Sequence, residues 1–311
     1  MSQDSKKLKR KNSKEVELSN EKLSKPKYGR VPSFPHQKIW SRCILMIGVV
    51  TIVWYNSKAG KEIIFAKQKD VISMKNQIIE CSNDFKNDLI KYPKCMPDKC
   101  ARIVTDELIT SSETNVLLNI AIDGLKYGGS DGGASILDLH SGALSKGSTF
   151  INIYSIKKAQ KLFTHNDFSV YKNVKNKIQH AIAHHFGIDV NKLYLTKPTF
   201  FSRINNKPAK TTHDEYWLPH VDKITYEHFH YTSLLYLNDF DKDFQGGRFI
   251  FIDKHNVNTT IEPRKGRVSM FTSGSENLHA VERVTSGTRY ALTISFTCNI
   301  EAGITDPVLI G

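Results

Sequence analysis

Apolar residues fall into three regimes along this chain. Residues 1–38 are rich in Lys, Ser and Asn and hold few large apolar side chains, which predicts a disordered tail. From Ile39 the pattern reverses. The run Cys43-Ile44-Leu45-Met46-Ile47-Gly48-Val49-Val50-Thr51-Ile52-Val53-Trp54-Tyr55 lies within residues 39–57 and predicts a single transmembrane signal-anchor helix, at the short end of what a bilayer needs. Beyond it Ile64, Val71, Ile78 and Phe85 recur every seven residues, with Ile72 and Ile79 widening the stripe. That period predicts a helical stem over 58–100 that pairs two copies of the chain in a short coiled coil. Gln68 and Lys75 at the second heptad position leave open a helix lying against the following domain.

The third regime, 101–311, is globular. Ser111 or Ser112 is expected to cap a helix holding Val116, Leu117, Ile120 and Ala121. A second helix, from Asn166 or Asp167 to about Phe186, carries Val170, Val174, Ile178 and Ile182 on one face and stops at Gly187. From Leu193 the period changes. Segments near 193–204, 218–222, 231–238, 248–253, 267–272, 278–283 and 289–298 alternate or are β-branched, with turn residues between them. Helices followed by a run of strands predict an α+β fold. Its core, about 193–300, reads as a double-stranded β-helix (jelly-roll) with flanking N-terminal helices.

Charge refines the first regime. The net charge is +13, but residues 1–42 hold 12 basic and 4 acidic side chains, against 32 and 27 in the remaining 269. The excess belongs to the tail. A basic tail alone is compatible with nucleic acid; a membrane between tail and fold removes that role, so no nucleic-acid partner is expected. Lys25, Lys27, Arg30, Lys38 and Arg42 precede the apolar run, and Lys58 and Lys61 follow it. The positive-inside rule then predicts a single-pass type II membrane protein, its folded domain lumenal (ER or Golgi) or extracellular. Asn258-Thr259-Thr260 is an N-glycosylation acceptor, expected in a loop. Outside the span stand four cysteines, an even number that suits an oxidising compartment. Cys95 and Cys100 are close enough to pair locally, leaving Cys81 with Cys298, although four cysteines allow three connectivities.

Candidate chemistry concentrates near the C-terminal end. In His220-Val221-Asp222 an extended backbone points both outer side chains to one face, and His279 follows in Leu278-His279-Ala280-Val281. Two imidazoles and a carboxylate form the facial triad of non-haem Fe(II) sites, with positions left open for substrates. The same trio with a water would serve a zinc hydrolase. Arg289, ten residues past His279 and beside Tyr290, Ala291 and Leu292, favours the first: it is placed to clamp a carboxylate bidentately, which hydrolysis does not need. Rival pairs are weaker. His213-Asp214-Glu215 is expected in a loop, His228-Phe229-His230 lacks the carboxylate, and His180 with His184 lack the glutamate of a zinc helix. The glycine-rich turn Gly128–Gly133 is not followed by the residues of a phosphate loop.

In His220-x-Asp222, the distal His279 and Arg289 the chain resembles the 2-oxoglutarate- and iron-dependent dioxygenases of the prolyl 4-hydroxylase type, over Ala101 to Cys298 and most strongly from Leu193. The resemblance implies the jelly-roll fold, with Fe(II), 2-oxoglutarate and O2 as cofactors and L-ascorbate to reduce stalled iron. It implies His220, Asp222 and His279 as metal ligands, and Arg289, Tyr236 and Thr293 as the 2-oxoglutarate site. It also implies a protein or peptide substrate, hydroxylated at a residue such as proline. The residues alone leave a second class open, a membrane-anchored β-helix module that holds a ligand without turnover. The intact ligand set favours the enzyme.

Overall fold

The computed structural model describes residues 35–58, 62–159, 161–254 and 257–308, so nearly all of the expected tail lies outside the described residues. The chain divides into two compact units, 1–59 and 60–311. In the first, helix α1 (Gln37–Lys58) contains a stretch, Gln37–Tyr55, long and apolar enough to cross a membrane. Ile44, Leu45, Ile47, Val50, Ile52 and Val53 on it are exposed.

The second unit is built on two sheets that share a core. The smaller has the order β1 (Glu62–Ala66), β12 (Val257–Ile261), β11 (Phe249–Asp253), β14 (His279–Val281). The larger runs β2 (Lys75–Ile79), β3 (Cys100–Thr105), β13 (Val268–Thr272), β9 (Tyr231–Tyr236), β15 (Val284–Thr297), β8 (Tyr194–Asn205), β5 (Ala134–Leu137), β6 (Ala143–Gly147), β4 (Gly129–Ser130). Short strands β10 (Phe244–Gly246) and β7 (Thr149–Asn152) pair with β15 and β6. This is the expected jelly-roll with mixed helices and sheets.

Strand alternation sorts the large sheet into two faces. Leu292, Ile294 and Phe296 of β15 pack in one core with Leu117, Ile120, Val174, Ile178 and Ile182 from helices α3 (Ser111–Leu125) and α4 (His165–Phe186). Ala291, one residue out of phase, packs between the sheets with Leu234, Tyr236, Phe249, Phe251 and Phe271. Each buried Val, Leu, Ile or Phe among them contributes about 1.5–3 kcal/mol by leaving water. Arg289 and Thr293 share the phase of Ala291, so they lie on the inner face. Both long helices start earlier than expected. Thr110 and Thr164 are the caps, each bonding the backbone N–H three residues on, while Glu113 and Asp167 bond back. Polar residues of the first helical turn had mimicked caps. The predicted stop is correct: Gly187 adopts φ +66° at the end of α4.

Three expectations fail in this unit away from the metal centre. The helical stem is not helical. Residues 62–66 and 75–79 are strands paired with β12 and β3, and the one helix of the segment is the short α2 (Phe85–Lys91) that follows them. Ile64, Val71 and Ile78 of the heptad stripe are exposed, while Phe65 and Ala66 enter the inter-sheet core. Pairing with two β-branched-rich sheet edges overrides a sparse seven-residue period, and the homodimer expected through that stem loses its coiled coil. The cysteines pair as Cys81–Cys100 and Cys95–Cys298, not locally. Pairing of β2 with β3 brings Cys81 beside Cys100, since Ile79 lies opposite Cys100. Finally, Asn258 stands within strand β12 between β1 and β11, and Thr260 of its triplet is buried with its hydroxyl on Glu62. The β-branched run Val257-Asn258-Thr259-Thr260-Ile261 is strand sequence.

Candidate metal centre

His220, Asp222 and His279 converge, as expected. Their ligand atoms all lie within 4.8 Å of one another, and they are the one such group of three found among the described residues. The route differs from the prediction at one point, for 218–222 is not a strand. His220 exchanges both backbone hydrogen bonds with His279 at the end of β14, at 2.9 and 3.0 Å. Val221 is still extended, so the flanking side chains share a face. Asp222 then begins a single helical turn, α5 (Asp222–Thr225). That turn is anchored by Lys223 N–H on Ser273 O.

Each ligand is oriented from behind. His220 Nδ1 donates to Leu218 O at 3.0 Å and His279 Nδ1 to Asn277 O at 2.8 Å. With those protons committed, both Nε2 atoms present lone pairs, 3.8 and 3.6 Å from Asp222 Oδ1. The second carboxylate oxygen, Oδ2, accepts from Thr232 Oγ1 at 2.6 Å, and Thr232 in turn meets Ser273 Oγ at 2.8 Å. Phe249 stacks on the His279 ring at 5.0 Å, with Phe251 and Phe271 edge-on. Burial among these rings holds His279 below its ordinary pKa despite the nearby Asp222, which keeps it neutral and able to ligate. His220 is open, its side chain 43% exposed.

Arg289 is fully buried at the other end of the same inner face. Its Nε donates to Gly247 O at 2.9 Å, and its guanidinium carbon lies 5.5 Å from the centre of the Tyr236 ring. Arg289 Nη2 and Tyr236 Oη are both buried without a hydrogen-bond partner. Burial lowers the arginine pKa and raises that of the tyrosine, so the phenol keeps its proton and remains a donor. Two orphan donors around a buried positive charge fit a carboxylate. Gly246 and Gly247, at φ +69° and +66°, allow the approach; a Cβ on Gly247 would sit 3.1 Å from Arg289 Cδ. Thr293 lies on this face four residues along β15, opposite Leu234. Arg289 and the triad thus belong to one inner face, on which β9 carries Thr232 beside Asp222 and Tyr236 beside Arg289.

The rival histidines have other work. His213 is exposed against Phe150, while its neighbour Asp214 is buried and accepts from Ser130, Ala134, Lys210 and Thr211. Burial opposes that charge, but the bonds hold Asp214 at a pKa of about 2. His228 Nε2 bonds Lys197 O. His230 is buried and its Nδ1 accepts from Cys298 N–H at 3.1 Å; burial pulls its pKa down to about 3. Sequence reasoning missed Thr232, Ser273 and the aromatic box. A signal for the first was present: Thr232, Leu234 and Tyr236 alternate on one face of β9.

Comparison with known proteins bears on this site directly. A family model described as "2OG-Fe(II) oxygenase superfamily" matches residues 207–297, which include the triad, Arg289, Tyr236 and Thr293. The Xenopus tropicalis protein named "2-oxoglutarate and iron-dependent oxygenase domain-containing protein 3" is 55% identical over 246 residues, covering 78% of this chain and 77% of that protein. The Homo sapiens protein of the same name is 48% identical over 283 residues, covering 87% and 88%. "Prolyl 3-hydroxylase 2" of Homo sapiens is 48% identical over 69 residues, 22% of this chain and 9% of that protein.

Proposed function

This chain belongs to the 2OG-Fe(II) oxygenase superfamily, and from that premise we propose that it is a membrane-anchored dioxygenase hydroxylating a peptidyl residue. As a member it is an oxidoreductase that uses Fe(II), 2-oxoglutarate and O2. L-ascorbate is the proposed reductant of stalled iron. The observation that carries the reading is the pairing of the triad with a buried, half-satisfied guanidinium on one inner face. His220, Asp222 and His279 hold the metal. Arg289 and Tyr236 hold the distal carboxylate of 2-oxoglutarate, and Thr293 lines the same wall. When bound, metal and co-substrate together supply the oxidising chemistry; the protein contributes orientation, charge neutralisation and a dry aromatic wall against His279.

A large substrate is supported by the open side of the site. His220 is the exposed ligand, and Leu218, Ile224 and Tyr226 beside the triad expose apolar surface. The stretch shared with prolyl 3-hydroxylase 2 points to a prolyl side chain. The test is an anaerobic titration with Fe(II) and 2-oxoglutarate. A visible metal-to-ligand charge-transfer band is expected; its absence would leave a ligand-holding module.

The anchored, type II arrangement rests on α1, the basic flank before it and two disulfides, which persist in oxidising compartments. Protease added outside sealed microsomes should remove the tail and spare residues beyond about Asn56, as the positive-inside rule requires. Digestion of the folded unit with a protected N-terminus would reverse the topology.

A further inference from the structure

We propose that Arg102 is a positioning residue for the metal centre, acting on His279 through Asn277; the inference rests on the triad being the metal site. Arg102 lies on β3 with the phase of Val104, facing between the sheets, and is fully buried. Its Nη1 and Nη2 donate to Asp253 at the end of β11, at 3.1 and 2.7 Å. The guanidinium thus ties the large sheet to the small one. Its carbon stacks 4.1 Å from the centre of Phe251, a ring that also meets His279.

Nη1 also reaches Gln77 Oε1 at 3.5 Å, while Nε and Nη2 reach the turn Ser275–Asn277, which delivers the chain to His279. Arg102 Nε donates to Asn277 Oδ1 at 2.7 Å and Nη2 to Glu276 O at 3.3 Å. Asn277 Nδ2 is itself tied to Thr272 O and Oγ1. With its side chain held on both sides, Asn277 presents its backbone oxygen to His279 Nδ1. That bond selects the tautomer and ring angle in which Nε2 faces Asp222. A neutral imidazole free of it would rotate and place a proton on the ligating nitrogen in part of the population. Outer partners of a metal-bound histidine typically change metal affinity by about 10- to 100-fold.

A merely structural arginine is available for contrast. Arg267 is equally buried and pairs with Asp106 at 2.7 and 2.9 Å, and its bonds go to Lys67, Asp70 and Glu262, none of them in the turn or the triad. Losing either arginine removes a fully buried guanidinium from its carboxylate, nearly buried at Asp106 and 27% exposed at Asp253, so both losses should lower the melting temperature, that of Arg267 more. Only the loss of Arg102 should weaken the metal.

The experiment measures Mn(II) binding to the full chain in detergent, following the electron paramagnetic resonance signal of the free ion. Arg102→Gln is expected to raise the dissociation constant by about tenfold or more. Asn277→Ala keeps both charges and the backbone oxygen but cuts the link, and should shift it in the same direction. Arg267→Gln should stay within about twofold of the parent protein while melting lower, since its bonds stop short of the ligands. The proposal is overturned if Arg102→Gln binds Mn(II) as Arg267→Gln does. Should Arg102→Gln fail to fold, an unchanged constant in Asn277→Ala overturns it equally. Failure of the triad reading has a different signature, in which Asp222→Ala binds Mn(II) as tightly as the parent.

Discussion

Asp222→Ala is expected to abolish Fe(II) binding and with it the uncoupled decarboxylation of 2-oxoglutarate. Asp222 is the single anion of the trio, and its Oδ1 faces both ligating nitrogens at 3.8 and 3.6 Å. Removing it leaves two neutral imidazoles, which lack the charge that a hard divalent cation favours. The loss should exceed the roughly 10- to 100-fold that an outer partner costs. Thr232→Val, which frees Oδ2 but keeps the ligand, belongs in that smaller range. His213→Ala and His228→Ala should leave metal content intact, because one ring is exposed and the other is bonded to Lys197 O. The measurement is bound iron after anaerobic gel filtration, with succinate release as a second readout. Metal lost from His213→Ala but retained by His220→Ala would move the site to the wrong side of Tyr216.

The triad was legible because a facial site demands particular residue types at strand spacing, and few stretches supply them. Even so, the local prediction was right for a partly wrong reason. Only Val221 had to be extended for His220 and Asp222 to share a face, and the strand imagined there is one bridge followed by a helical turn. Alternation also carried Arg289 inward, since Ala291 and Thr293 keep its phase along β15. What stayed hidden depends on contacts remote in sequence. Arg102 and Asn277 are 175 positions apart, and nothing local marks their bond. The stem failed similarly. A strand paired with β12, Ile64 opposite Thr260, leaves Ile64 half-outward and Phe65 inward, a pattern that a seven-residue period does not distinguish from a helix face. Cysteine pairing followed from the second strand of the stem, β2. Once β2 lies on β3, Cys81 meets Cys100, and Cys95 is left for Cys298.

Arg289 separates an oxygenase site from other uses of the same triad, through its effect on stability. Burial makes its charge costly, and one nitrogen lacks a partner, as does the Tyr236 hydroxyl beside it. A carboxylate entering there restores both bonds and neutralises the cation, so 2-oxoglutarate should bind the folded state strongly. At about a hundredfold excess over its dissociation constant, a ligand adds roughly 2.7 kcal/mol. For a unit of this size that corresponds to about 5–10 °C in melting temperature. Under nitrogen, with Fe(II) present, 2-oxoglutarate should produce a shift of this order in the parent protein. Arg289→Leu should lose most of it while still binding Fe(II), because the arginine faces the co-substrate end of the wall. Arg289→Lys should lose less, since the ammonium keeps the charge but not the fork. Tyr236→Phe should fall between the parent and Arg289→Leu, removing one donor of the pair. An undiminished shift in Arg289→Leu would place the co-substrate elsewhere and leave this guanidinium with Gly247 O as its hydrogen-bond partner and no anion.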